Sequence, residues 1–365
     1  MMDFMFRRSI AHAGLAVMVA LAAVSLGAQS PSDQGGRSSY TPPRTPWGDP
    51  DLQGIWPGTD MVGVPFERPD QFGNRLFLTE QEFKARETQA EKQARLDVLE
   101  FDLTKPPDEI VALGDVGGVT SPPPHWLERG LPSRQSSLIV EPANGKMPPM
   151  TPEGTARQKN AGGTYARQTG FKSADELGPY DRCISRGVVG SMMPVVYNNG
   201  NQIIQAPGLV AFRNEMIHET RIIPLDPSTS SGSSRAQSRD DSRDSLPGTM
   251  KSYMGVSRGH FEGNTLVVRT TNLNGKTGMQ GNGMMLIPSD ALVLEERFTP
   301  MSANILQYEV TINDPKTWTA PWKVSFPLRR ESDYGMYEYA CHEGNYAMRN
   351  TLSGSRADEK GAASK

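Results

Sequence analysis

The sequence predicts a mainly β protein: an antiparallel meander closing into a barrel-like or sandwich body, preceded by an extended, partly helical N-terminal arm. Three observations predict it. From about residue 195 the apolar positions recur with period two, as in Leu306, Tyr308, Val310 and Ile312 set against Gln307, Glu309 and Thr311, the pattern of a strand with one buried face. The last four such runs are joined by short polar segments that leave no room for crossover helices, so neighbouring strands must run antiparallel. The chain of 365 residues also carries 36 glycines and 29 prolines at 36% hydrophobic content, which suits a turn-rich β protein better than a helical bundle.

Residues 1–28 read as a signal peptide. Arg7 and Arg8 form its basic start, Ala13 to Leu26 its uncharged apolar run, and Gly27 and Ala28 a small-residue cleavage region. No later stretch reaches about 18 apolar residues, so the mature chain is expected to lack a transmembrane segment and to reside in the periplasm or outside the cell. Residues 29–46 form a Ser/Gly/Pro-rich flexible leader.

Residues 47–190 read as a Pro-rich arm with too few apolar runs for a core of its own. In it, Trp47 to Trp56 is a turn leading to a short apolar edge. Thr79-Glu80-Gln81-Glu82 has capping-box spacing and opens a polar surface helix over about 80–99. Ser121 to Trp126 is extended Pro-rich chain, Ser137 to Glu141 a strand, and Thr151-Pro152-Glu153 a helix start.

The β-meander domain spans 191–350. Ile203 to Ala206 and Leu209 to Met216 flank a Pro207-Gly208 hairpin turn. Ile217 to Pro224, Leu266 to Leu273, Leu292 to Phe298, Asn304 to Ile312, Trp322 to Arg329 and Tyr334 to Cys341 complete the strands. A Ser/Arg/Asp-rich insertion at about 227–249 is expected to be disordered, and 351–365 is a polar tail.

The charge balance of 38 basic against 41 acidic residues excludes the concentrated Lys/Arg surplus that nucleic-acid phosphates require. Two cysteines exclude a four-thiolate zinc site. In an exported chain, Cys183 and Cys341 are expected to form one structural disulfide, closing a loop of about 160 residues worth roughly 5 kcal/mol. The competing reading is a catalytic thiol, for which His342 is the adjacent histidine.

Gly255-Val256-Ser257-Arg258-Gly259 matches the G-x-S-x-G spacing of a nucleophile elbow, but that device needs a strand turning into a helix. Here strand follows, and the match is rejected. His218-Glu219 and His342-Glu343 are not accompanied by any H-x-H or H-x-x-x-H spacing, so neither a metal nor another cofactor is indicated. Several charges sit inside apolar strands. On an open sheet they form the solvated face. If the meander closes, they line a lumen, and Glu338, His342 and His218 become candidate catalytic acid–base residues. Arg182, Arg221, Glu295, Arg297 and Asn345 become candidate ligand-binding residues. Arg182 and Asn345 enter this set because the disulfide would tether Asp181-Arg182-Cys183 to His342-Glu343-Gly344-Asn345.

Several segments carry a family resemblance. Pro50-Asp51-Leu52-Gln53-Gly54-Ile55-Trp56, Ser137-Leu138-Ile139-Val140-Glu141-Pro142 and Met147-Pro148-Pro149-Met150-Thr151-Pro152-Glu153-Gly154 resemble motifs of a family of secreted bacterial proteins without an established function. So do Glu262-Gly263-Asn264-Thr265-Leu266-Val267-Val268 and Tyr337-Glu338-Tyr339-Ala340-Cys341-His342-Glu343-Gly344-Asn345-Tyr346. The resemblance covers most of residues 45–356. It implies export and a β-rich, lipocalin-like body, and it lends no reaction, cofactor or catalytic residue.

The leading functional expectation is an exported β-barrel-like protein that binds a small, partly apolar molecule. The alternative is an extracytoplasmic hydrolase, lyase or isomerase using the His/Glu set in a barrel lumen. The third is a structural envelope protein with a packed interior.

Overall fold

The alternating runs pair into two antiparallel sheets in the computed structural model, which describes residues 40–97, 126–159, 161, 163, 170–226 and 250–363. In chain order the strands are β1 (Gly54–Ile55), β2 (Ile139–Glu141), β3 (Asn201–Ala206), β4 (Leu209–Asn214), β5 (Thr220–Pro224), β6 (Val256–Glu262), β7 (Thr265–Thr271), β8 (Val293–Ser302), β9 (Ile305–Asn313) and β10 (Trp322–Arg329). The α-helices are α1 (Glu80–Asp97), α2 (Pro152–Gln158), α3 (Val188–Met192) and α4 (Ala347–Ala363). One sheet has the order β1-β3-β4-β5, the other β2-β10-β9-β8-β7-β6. The expected signal peptide, the leader up to residue 39, the Pro-rich Ser121 to His125 and the 227–249 insertion lie outside the described residues.

Period-two alternation directs one face of each sheet into a shared core. Leu306, Tyr308, Val310 and Ile312 of β9 are buried with Val324 and Phe326 of β10, and they join Val210, Phe212 and Ile223 of the smaller sheet in one cluster. Phe212 lies 4.5 Å from Phe298 between ring centroids, and Phe298, Tyr308 and Phe326 continue the aromatic row at 5.1 and 5.3 Å. Each such fully buried apolar side chain contributes about 1.5–3 kcal/mol.

No closed barrel is found among the described residues. Between the end of β5 and β6 there is a parallel bridge, Leu225–Gly259, and the Asp226 N–H donates to the Gly259 carbonyl at 2.9 Å, with no continuous ladder. At the other end, β1 is two residues long and pairs with β3 alone, too short to carry a ladder across to the larger sheet. Of the two expected bodies, the closed barrel is therefore not found, and the strands form two sheets sharing one core.

Local signals account for the helices. In the capping box of α1, the Thr79 N–H and hydroxyl both donate to Glu82 Oε2 at 2.8 Å, and the Glu82 N–H donates to Thr79 Oγ1 at 3.3 Å. A two-pronged bond from the Arg75 guanidinium, helped by the two Thr79 donors, pulls the Glu82 carboxyl down to about 2. Thr151 caps α2 by accepting from the Gly154 N–H at 3.0 Å.

Tyr334 to Cys341, expected as the closing strand, is irregular chain. On the edge of β10 away from β9, β2 pairs with Lys323 and Val324, and the segment after β10 adds no strand to either sheet. The polar tail is largely helical. Its α4 docks through the buried Ser355, whose hydroxyl accepts from the Phe171 N–H at 3.0 Å, and through Arg356, which donates to the Phe171 carbonyl at 2.6 Å. Among the described residues no helix is long and apolar enough to cross a membrane.

Candidate functional site

A disulfide joins Cys183 to Cys341, and it gathers several of the residues singled out from the sequence. Asn345 Nδ2 lies 3.2 Å from Cys183 Sγ, and His218 Nδ1 lies 2.9 Å from the Tyr339 carbonyl oxygen. Arg182, half-buried, pairs with Asp175 at 3.3 Å. Glu338, His342 and His218 are all exposed. Glu338 and His342 sit on the irregular segment after β10, and neither lines a cavity described below.

Glu295 and Arg297 lie on the half-exposed outer face of β8, where Arg297 reaches Glu262 at 2.8 Å and Glu295 at 3.9 Å. Arg221 points the other way. It is 6% exposed and forms a two-pronged bond with Glu296, which is fully buried at 0%. The Tyr308 hydroxyl donates to the same carboxylate at 3.2 Å. Burial works against the charge on Arg221, but Glu296 outweighs it and holds the guanidinium above its usual value. Burial, reinforced by Glu296, drives the Tyr308 hydroxyl well above the usual phenol range. Glu296 was not singled out from the sequence, although its phase with Leu294 and Phe298 places it on the apolar face of β8.

This buried pair borders a second feature that sequence reasoning missed. Ser185-Arg186-Gly187 leads into α3, and Arg186 is 1% exposed. Its backbone is fixed from the Glu219 side: the Ser185 hydroxyl donates to Glu219 Oε2 at 2.9 Å, and the Arg186 N–H donates to the same carboxylate. Burial raises the Glu219 carboxyl above its usual value, against those two hydrogen bonds and the charges of Arg221 and Arg186.

On its other side Arg186 is covered by the β7–β8 connection. Gly187 and Gly283 have φ of 73° and 77°, conformations that side chains disfavour. A Cβ at Gly187 would strike the Thr277 side chain, and one at Gly283 would strike the Arg186 backbone. These two glycines let the Gln280-Gly281-Asn282 turn approach the start of α3.

Between them opens a recess of about 400 Å³ that merges with open solvent, of which about 100 Å³ is room for water-sized groups. Its walls are mixed. Val64, Phe66, Leu138 and Val195 supply apolar surface, while Arg186, Gln280 and Asn282 supply polar groups. A smaller recess of about 260 Å³, lined by Val188, Val189, Leu273 and Leu292 among others, has no charged residue in its wall among the described residues. A concavity that sets a few converging polar groups among apolar ones is the general form of a small-molecule site. The sequence signal was a single arginine within an otherwise small and apolar run, Gly187-Val188-Val189-Gly190-Ser191-Met192-Met193 following it. Among the described residues no group of three or more His, Cys, Asp or Glu side chains is arranged to hold a metal ion. Comparison with protein-family models, with curated proteins and with solved structures found no match to this chain.

Proposed function

We propose that this chain is an exported protein that binds a small, partly apolar molecule in the cavity beside Arg186. The observation that carries the reading is a recess whose wall joins apolar surface (Phe66, Leu138, Val195) to polar residues Arg186, Gln280 and Asn282. A concave wall with a few polar groups set among apolar ones is the arrangement that orients a bound small molecule. Export is supported by the basic-then-apolar N-terminus and by the disulfide. The same features agree with the resemblance to secreted proteins of β-rich, lipocalin-like type. The catalytic alternative draws no comparable support, because Glu338, His342 and His218 lie exposed and away from the cavity wall.

Native mass spectrometry of protein exported to a periplasm and purified without denaturant tests the reading. An added mass of small-molecule size that disappears on unfolding is expected. Val195→Phe, which narrows the cavity from a half-buried position, should reduce that occupancy. A ligand-free mass, unchanged after incubation with cell extract, would count against binding and favour a packed structural protein.

A further inference from the structure

The segment between β10 and α4 adds no strand to either sheet, yet it is fixed at several points. The Tyr334 hydroxyl lies 2.6 Å from Glu215 and 2.8 Å from Glu128. The Tyr337 N–H donates to Glu215 Oε1 at 3.3 Å, the Tyr339 hydroxyl lies 2.9 Å from that of Tyr180, and the disulfide holds Cys341. We propose that this segment is a docking edge for a basic, extended peptide segment of a partner protein. The edge does not rest on the recess beside Arg186, since none of its residues lines that wall.

Backbone groups supply the edge. Met336, Glu338 and Ala340 make no hydrogen bond among the described residues. Tyr337 and Tyr339, which alternate with them, are bonded through the Tyr337 N–H to Glu215 and through the Tyr339 carbonyl to His218. The free N–H and C=O groups thus recur at every second residue, the spacing with which an added strand pairs. Main-chain pairing of this kind gives affinity, and the side chains around it give specificity. The disulfide and the Tyr334 contacts hold the edge in place beforehand, which lowers the cost of ordering it on binding.

Charge selects the partner. From Glu331 to Met348 the chain carries four carboxylates and no lysine or arginine. Glu331 is paired with Arg329 at 3.0 Å. Glu338 and Glu343 are exposed and have no hydrogen-bond or ion-pair partner among the described residues. Asp333, also exposed, accepts the Ser332 hydroxyl at 3.2 Å and meets no cation among them. Uncompensated surface carboxylates attract a basic partner and repel an acidic one. Tyr337 and Tyr346 are 75% and 63% exposed, so their rings are open to an arginine side chain, whose charge an aromatic face attracts. A basic strand laid along Met336 to Ala340 therefore meets free backbone groups, the Glu338 carboxylate and an aromatic face together.

Fluorescence anisotropy of the full, disulfide-bonded protein with three labelled nonapeptides tests the assignment. One alternates arginine with threonine, the second has glutamate for each arginine, and the third is the arginine peptide N-methylated at alternate amides. The arginine peptide should bind, more weakly as salt is raised from about 0.05 to about 0.3 M, and the glutamate peptide should not. N-methylation, which removes main-chain donors, should weaken binding roughly tenfold or more. The double variant Glu338→Gln with Glu343→Gln should weaken it about fivefold or more at an unchanged melting temperature, both side chains being exposed and unpaired. Equal binding of the arginine and glutamate peptides would overturn the charge assignment, and equal binding of the methylated peptide would overturn the edge. Absence of binding by all three at millimolar peptide would overturn the whole proposal. So would a dimer of the parent chain, seen by sedimentation, that the double variant dissolves, since a second copy would then cover this face.

Discussion

Arg221 of β5 and Glu296 of β8 form a two-pronged ion pair across the core, linking the smaller sheet to the larger one through charge. The pair is 6% and 0% exposed, and Tyr308 completes the carboxylate's bonding. Phe212 lies beneath the guanidinium at 5.5 Å. A buried pair of this kind is costly to break by halves, because the survivor keeps its desolvation penalty without its partner.

Arg221→Met is therefore expected to lower stability by about 3–5 kcal/mol, read from urea or guanidinium unfolding. The double variant Arg221→Met with Glu296→Leu should lose much less than the single one, since no uncompensated charge remains. A single-variant loss below about 1 kcal/mol, the scale of an exposed pair, would show that the contact contributes little.

The disulfide closes a sequence separation of 158 residues, for which the chain-entropy relation gives about 5 kcal/mol. Replacing both Cys183 and Cys341 by serine should lower the melting temperature and speed amide exchange across Tyr337 to Asn345, a segment outside either sheet. Unchanged exchange in that segment would mean that the His218–Tyr339 and Tyr180–Tyr339 contacts hold it without the covalent link.

Glu219 makes stability depend on pH. Burial raises its folded-state value above the ordinary 4.5, so the folded protein binds more protons than the unfolded chain between those two values. The resulting stability is full below about 4.5 and is lost as pH rises through the raised folded value. Glu219→Gln keeps an acceptor for Ser185 and removes the titration. Unfolding midpoints measured from pH 4 to pH 8 should fall less steeply with pH in the variant than in the parent. Parallel curves would place the pH dependence elsewhere.

Much of the fold was legible from local pattern alone, for physical reasons that individual elements make plain. The Glu262-Gly263-Asn264 turn, with Gly263 at φ 64°, joins β6 to β7, and Pro207-Gly208, with Gly208 at φ 76°, joins β3 to β4. Both depend on residues that supply a turn conformation by themselves. The capping box of α1 is equally local, because all its partners lie within three residues. The rejected elbow also resolves locally: Ser257 sits inside β6 with its hydroxyl 2.8 Å from Thr270 Oγ1.

What sequence determined by itself was thus the β class, most strand and turn positions and the capped helices, since period, turn chemistry and capping act over a few residues. The pairing of Cys183 with Cys341 was also expected from sequence, because compartment and cysteine count narrow the choices. Tertiary structure alone decided three other things. It decided between the two expected bodies, leaving two sheets around one core instead of a closed barrel among the described residues. It left Tyr334 to Cys341 as irregular chain outside either sheet. It also turned Arg221 and Glu296 inward and set Arg186 against a cavity wall. Those placements depend on contacts between residues far apart in the chain, 75 positions in the Arg221–Glu296 pair, and periodicity along one strand carries no information about which charge on another strand will meet it.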